Sequence, residues 1–324
     1  MTRDAPVVIS MGEPSGIGPE VAVKAFAALK GYVGQRPLHL IGSESVFLAA
    51  AASCGIDAAY LRKAIIDTGH HVDAVAGRPS SQNADSVTAA IAEGVRRATA
   101  GEASALVTAP IHKSVLTEAG FGFPGHTEYL AALTGSGRAV MMLASRDLKP
   151  ALRVVPLTIH IPLRSVFDAL STDSIVTTAD IILSALKQDF GIGAPRLALA
   201  GLNPHAGEDG TMGEEDAEII APAVTLLRAR GHDVSGPLSA DTLFHDDARE
   251  TYDAALCMYH DQALIPIKTL AFWTGVNITL GLPIVRTSPD HGTAIGIAGR
   301  SIANEKSMIA AIETAAEIAD RRGL

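Results

Sequence analysis

The sequence is poor in cysteine, in aromatic residues and in long apolar runs, and each shortage removes a class of protein. The only cysteines, Cys54 and Cys257, form no Cys-x-x-Cys pair. A disulfide framework is therefore not expected, and both thiols read as small buried hydrophobes of a reducing compartment. Aromatic residues make up 4% of the chain, whereas 48% is hydrophobic. The core must then be built from Val, Ile, Leu and small residues, as in α/β layers whose helices pack closely on buried parallel strands. No apolar run is long and uninterrupted enough for a membrane span. Met1 to Pro6, with Arg3 and Asp4, lacks the apolar core of a secretory signal, so a cytoplasmic location is expected. No block of Lys and Arg marks a nucleic-acid face. The net charge of −9 argues against a polyanion, but a few convergent cations and backbone N–H groups still suffice for a small anion. Neither nucleic acid nor membrane is expected as a partner.

What the sequence does have is alternation. Strands are predicted at Val7 to Met11, Leu38 to Gly42, Ala105 to Thr108, Val140 to Ala144, Leu152 to Ile159, Leu197 to Ala200, Ala254 to Tyr259 and Val276 to Leu280. Helices are predicted from Pro19 to Leu29, from a Ser43 cap to near Gly55, and over Ser86 to Thr99, Asp173 to Gln188, Glu214 to Arg230 and Asn304 to Arg322. The expected fold class is α/β, with two three-layer α/β/α domains and an interdomain cleft. Glycine-containing stretches at 135–137 and 231–237 are the candidate crossings. They divide the chain into a discontinuous α/β domain, 1–134 plus 235–324, and a central α/β domain, 135–234.

Three histidines share one local setting. His160, His205 and His260 each follow a buried apolar run, the position where open α/β sheets place ligands. Two readings stand: a site for Zn²⁺ or a similar divalent ion, or three unrelated strand-end caps. Asp241 reads as an N-cap or as a carboxylate supporting a ligand. Gly12 to Glu20 joins the first strand to a helix without a Gly-x-Gly-x-x-Gly fingerprint. It is either a tight turn or a rigid loop whose backbone approaches a ligand. His126 and Thr127 open a short helix over Tyr129 to Leu133, which suits an anion site or ordinary capping by Thr127. Lys268, Asn277 and Arg286 stand among apolar neighbours, where a charge either binds a ligand or pairs with Asp261 or Asp290. So many polar residues in such apolar stretches mark a lined cleft.

Taken together, these blocks resemble the 4-hydroxythreonine-4-phosphate dehydrogenase family of pyridoxal-phosphate biosynthesis. The resemblance runs nearly end to end, through Gly12–Glu20, Thr108–Lys113, Pro124–Glu128, Asn203–Glu208, Met258–Gln262, Gly275–Pro283 and Asp290–Ala294. It implies an isocitrate-dehydrogenase-like fold and a homodimer, with dimer contacts from the central domain and the active site at the subunit interface. It also implies His160, His205 and His260 as ligands of zinc, magnesium or cobalt, and His126, Thr127, Lys268, Asn277 and Arg286 as substrate-binding residues. NAD or NADP would take the hydride, with Lys268 or Asp241 among the candidate bases. The implied reaction oxidises 4-phosphooxy-L-threonine to 2-amino-3-oxo-4-phosphooxybutanoate, which decarboxylates to 3-amino-2-oxopropyl phosphate. Alternatives are a threonate 4-phosphate dehydrogenase, a metal-dependent phosphohydrolase and a sugar-phosphate sensor. Ser15 and Ala263 depart from the family pattern, where Ala and Gly are usual. Ala263 matters only if its backbone needs positive φ.

Overall fold

The computed structural model describes residues 4–123 and 125–324; Met1, Arg3 and Pro124, all named above, lie outside the described residues. The chain forms two compact units, the first comprising the chain up to Ala139 with Val276–Leu324, the second Val140–Gly275. Both are mixed α/β, the expected class. The return to the first unit, expected at 235, falls instead at Val276. Strand pairing is the reason: Ala254–Cys257 lies between Leu152–Pro156 and Arg196–Ala200, so the chain stays in the second unit until that strand is laid down.

In the first unit the strand order is Tyr32–Val33, Arg36–Gly42, Val7–Ser10, Ala105–Thr108, Arg286–Pro289, Gly275–Leu280, with Ile65–Asp67 also on Arg36–Gly42. Val7, Val8 and Ile9 are all fully buried, although alternate residues face opposite sides of a sheet. Both faces are therefore covered. Helix Ala84–Thr99 packs Val87, Ala90 and Ile91 onto Val8, Ile41 and Leu106. Helix Lys306–Arg322 lies against Arg286–Pro289, where the Thr287 hydroxyl donates to the Ala311 carbonyl at 2.8 Å.

In the second unit the order is Val140–Ser145, Leu152–Pro156, Ala254–Cys257, Arg196–Ala200, Asp233–Leu238. Only the first pairing is antiparallel. The three inner strands thus end at one edge, as the alternating pattern required.

Several expectations are corrected here. The strand from Leu152 stops at Pro156, and the strand from Ala254 stops at Cys257. His260 does not end a strand; it opens the helix His260–Ala271, which Pro266 had hidden. Asp233–Leu238 is a strand despite Gly236 and Pro237, tolerated because it lies at the sheet edge. The single helix expected from Glu214 is a π-helical turn, Asp216–Ile220, followed by an α-helix, Ala221–Ala229. Arg286–Pro289 is a strand and Lys113–Glu118 a helix, each too short for a period to show in the sequence. Ser43 is the residue before helix Glu44–Ser53, but its hydroxyl meets Ser45 and caps no backbone N–H. Ala263 lies within a helix, so no positive φ is asked of it. Among the described residues, no single helix is long and apolar enough to cross a membrane.

Candidate functional site

The three histidines follow the three inner strands of the second unit at their common edge, each within five residues of a strand end. The loops there are tied to one another. Thr158 donates from both its backbone N–H (3.3 Å) and its hydroxyl (2.8 Å) to the Met258 carbonyl. The buried Gln262 side chain accepts from Met258 N–H and donates to the Gly201 carbonyl, both at 2.7 Å. Neither staple was singled out from sequence, although a polar residue beside an apolar run is the signal that would have found them. The His160 and His260 rings lie 5.6 Å apart, centroid to centroid. Two imidazoles on one tetrahedral ion, with bonds of about 2 Å, have centroids roughly 5 to 6 Å apart, so this pair fits a divalent cation. His260 Nδ1 is 2.7 Å from Asp261 Oδ1, which leaves Nε2 as the ring nitrogen available to another partner.

His205 does not complete the set within one chain. Among the described residues no group of three His, Cys, Asp or Glu is arranged to hold a metal ion. His205 is exposed, in a turn of left-handed residues, with Asp241 close enough to feel its charge. Asp241 is not an N-cap: it sits inside the 3₁₀ turn Ala240–Thr242. The Ser239 hydroxyl, donating at 2.6 Å, is the main cause holding its carboxyl below the ordinary value. Lys268 shares one face of helix His260–Ala271 with His260, Asp261, Leu264, Ile265 and Thr269, which line a shallow pocket.

The other predicted residues gather in the first unit. The register Ile278↔Thr287 brings Thr279 beside Arg286. Arg286 is 2% exposed, and its guanidinium donates to Thr279 Oγ1 at 2.8 Å and Thr108 Oγ1 at 2.5 Å. Its partners are hydroxyls, so Arg286 does not make the alternative pairing with Asp290 or Asp261. Burial pushes its pKa down to about 9, which still leaves it charged at neutral pH. Asn277 is two residues from Thr279 and shares its face. Helix His126–Thr134 starts after an extended Gly125 with no side-chain cap, which rules out capping by Thr127. Lys113, missed from sequence apart from its block, has its ammonium at Gly125, 3.2 Å from where a Cβ would stand. Of the buried side-chain atoms without partners among the described residues, three belong to this group: Arg286 Nε, His126 Nε2 and Asn277 Oδ1. Two cations, a helix N-terminus and orphaned polar atoms describe a socket for an anion.

Desolvation first, then the charges of Arg286 and Lys113, push His126 well below the ordinary imidazole range. The folded chain therefore resists a proton that the unfolded chain takes up below about pH 6.5, and stability is lost as pH falls through that window. We predict a steeper loss of urea resistance between about pH 6.5 and 5 in the wild type than in His126→Gln. Equal slopes would show that the ring is not held neutral.

The segment from Gly12 into the helix that begins at Gly18 is closely packed, which suits a tight turn and a ligand-approaching loop alike. Gly12 has φ +69°, and a Cβ there would lie 2.5 Å from the Pro110 carbonyl oxygen, so only glycine fits. The Ile17 N–H donates to the Thr293 carbonyl at 3.0 Å. Beside the loop lies a cavity of about 290 Å³, lined by Pro14, Gly16, Ser45, Ala49, Ser53 and Gly299 among others.

Comparison with known proteins adds three findings. The family model described as pyridoxal phosphate biosynthetic protein PdxA matches residues 35–315. Curated relatives named 4-hydroxythreonine-4-phosphate dehydrogenase include that of Paracoccus denitrificans, 51% identical over 99% of this chain and 100% of the relative. That of Roseobacter denitrificans is 52% identical over 98% of each. Among solved structures, the 4-hydroxythreonine-4-phosphate dehydrogenase of Klebsiella pneumoniae superposes with a TM-score of 0.82 at 34% identity, covering 98% of this chain and 100% of that one.

Proposed function

The chain belongs to the family of pyridoxal phosphate biosynthetic protein PdxA, and from that premise we propose that it is a metal-dependent NAD(P) dehydrogenase acting on 4-phosphooxy-L-threonine. The observation that carries this reading is the buried Arg286 with its unpartnered Nε, beside the unpartnered His126 Nε2 and Asn277 Oδ1. A buried cation without a carboxylate is unfavourable by several kcal/mol, a deficit that a bound anion removes. Arg286 offers a planar fork to the phosphate or carboxylate, and Lys113 and the first N–H groups of helix His126–Thr134 add to it. Thr127 is a further donor, and Lys268 is assigned the other acidic group of the substrate or the role of base. Asp241 is the second candidate for that base.

His160, His205 and His260 are the proposed ligands of a divalent cation. When bound, it supplies Lewis-acid polarisation of the substrate alcohol, easing loss of the proton as hydride passes to the nicotinamide. The oxidised product is a β-keto acid, whose ketone accepts the electrons released with CO₂. His205 is proposed to join the His160–His260 pair from a second copy of the chain, making a homodimer. Large apolar side chains stand exposed close in sequence to the pair: Ile161, Leu163 and Phe167 after His160, and Ile265, Phe272 and Trp273 on or after the helix that His260 opens. Such surface is suited to a partner. The cavity beside Gly12–Glu20, with small side chains and approachable backbone, is the proposed nucleotide site.

The test is a nucleotide-reduction assay with 4-phosphooxy-L-threonine and threonate 4-phosphate, with and without added zinc. Zinc-dependent reduction with the first substrate alone is expected. Reduction only with the second would move the chain to the sugar-acid branch. Phosphate release without reduction would make it a hydrolase, and binding without turnover a sensor.

A further inference from the structure

His205, Ala206, Gly207, Glu208 and Asp209 run consecutively with φ between 40° and 84°. Glycine adopts that region freely, but each of the other four is disfavoured by about 1–2 kcal/mol. Such a turn persists only where its surroundings over-determine it.

Asp216, 1% exposed, anchors the segment that leads into the turn. Its Oδ1 accepts the Leu202 N–H at 2.8 Å; its Oδ2 accepts the Asn203 N–H at 3.0 Å and Asn203 Nδ2 at 3.1 Å. The Asn203 amide also donates to Glu215 Oε2 at 2.7 Å. The fit is close on both sides of the turn. A Cβ added at Gly201 would stand 2.8 Å from Asp216 Oδ1, and one at Gly207 3.3 Å from Asp216 Cβ. Asp216 also opens the π-helical turn Asp216–Ile220, a local widening that recurs at functional sites.

We infer that Asp216 is the positioning residue of the metal site, fixing the left-handed turn that presents the His205 imidazole. The inference rests on reading His205 as a metal ligand. Asp216→Asn replaces one acceptor with a donor facing backbone N–H groups, so the turn loses part of its anchorage while the side chain keeps its size.

The test compares full-length wild type, His205→Ala and Asp216→Asn by zinc competition against a chromophoric chelator, with thermal unfolding alongside. A wild type that holds zinc no better than His205→Ala sinks the metal reading itself. With that reading standing, Asp216→Asn is expected to remain folded and to bind zinc at least about tenfold more weakly, while inorganic phosphate binding by the first unit stays within about twofold. A folded Asp216→Asn with zinc affinity within about twofold of wild type overturns the inference. Gly207→Ala, with φ +84° and a Cβ 2.9 Å from the Gly213 carbonyl oxygen, disturbs the same turn from the other side and is expected to weaken zinc binding likewise. Failure of both variants to fold would make Asp216 a folding residue and also overturn it.

Discussion

Arg286→Ala is expected to raise the KM for phosphorylated substrate by roughly 10² to 10⁴, with the KM for nucleotide nearly unchanged. The magnitude follows from two charge-assisted hydrogen bonds of about 1.5–3 kcal/mol each, made by a side chain that is itself buried. The protein itself should lose little. Arg286 contributes a buried charge whose partners are the hydroxyls of Thr108 and Thr279, so removing it relieves desolvation while opening a cavity, two effects of opposite sign. Arg286→Lys restores the charge without the fork, and should recover only part of the loss. Steady-state kinetics with each substrate varied in turn, together with thermal unfolding, separates these effects. A matched rise in both KM values would take Arg286 out of the substrate pocket.

His205→Ala is expected to abolish metal-supported turnover, a loss of at least about 10³ in kcat, without unfolding the chain. His205 is exposed and makes no contribution to either core, so its removal should leave the melting temperature of the metal-free protein within a few degrees. The effect should be absent from phosphate binding in the first unit. Retained turnover in His205→Ala after full chelation would refute the metal role.

The sequence made the fold class readable because apolar runs such as Val7–Ile9 and Leu197–Ala200 are continuous and short, the mark of buried parallel strands. It made the histidines readable because His160 and His205 follow such runs. It concealed what depends on distant partners. Nothing local says that Gln262 reaches back to Gly201, that Asp216 holds the loop before His205, or that Lys113 comes to Gly125. The crossing at 276 is hidden for the same reason. Gly236 and Pro237 look like a linker, and only their pairing beside Arg196–Ala200 reveals an edge strand. Arg286 was recognised as out of place among apolar residues, but its threonine partners come from two other strands and carry no signal of their own.

Most of the chemistry assigned to this chain turns on imidazoles from two copies closing around one cation. Subunit mixing tests that directly, using His205→Ala and His260→Ala chains carrying different affinity tags, co-expressed and purified through both. Each parent should be inactive, whereas the mixed dimer holds one intact set and should regain about half of wild-type turnover. A mixed dimer as inactive as its parents would place both histidines in the same copy and contradict the shared site.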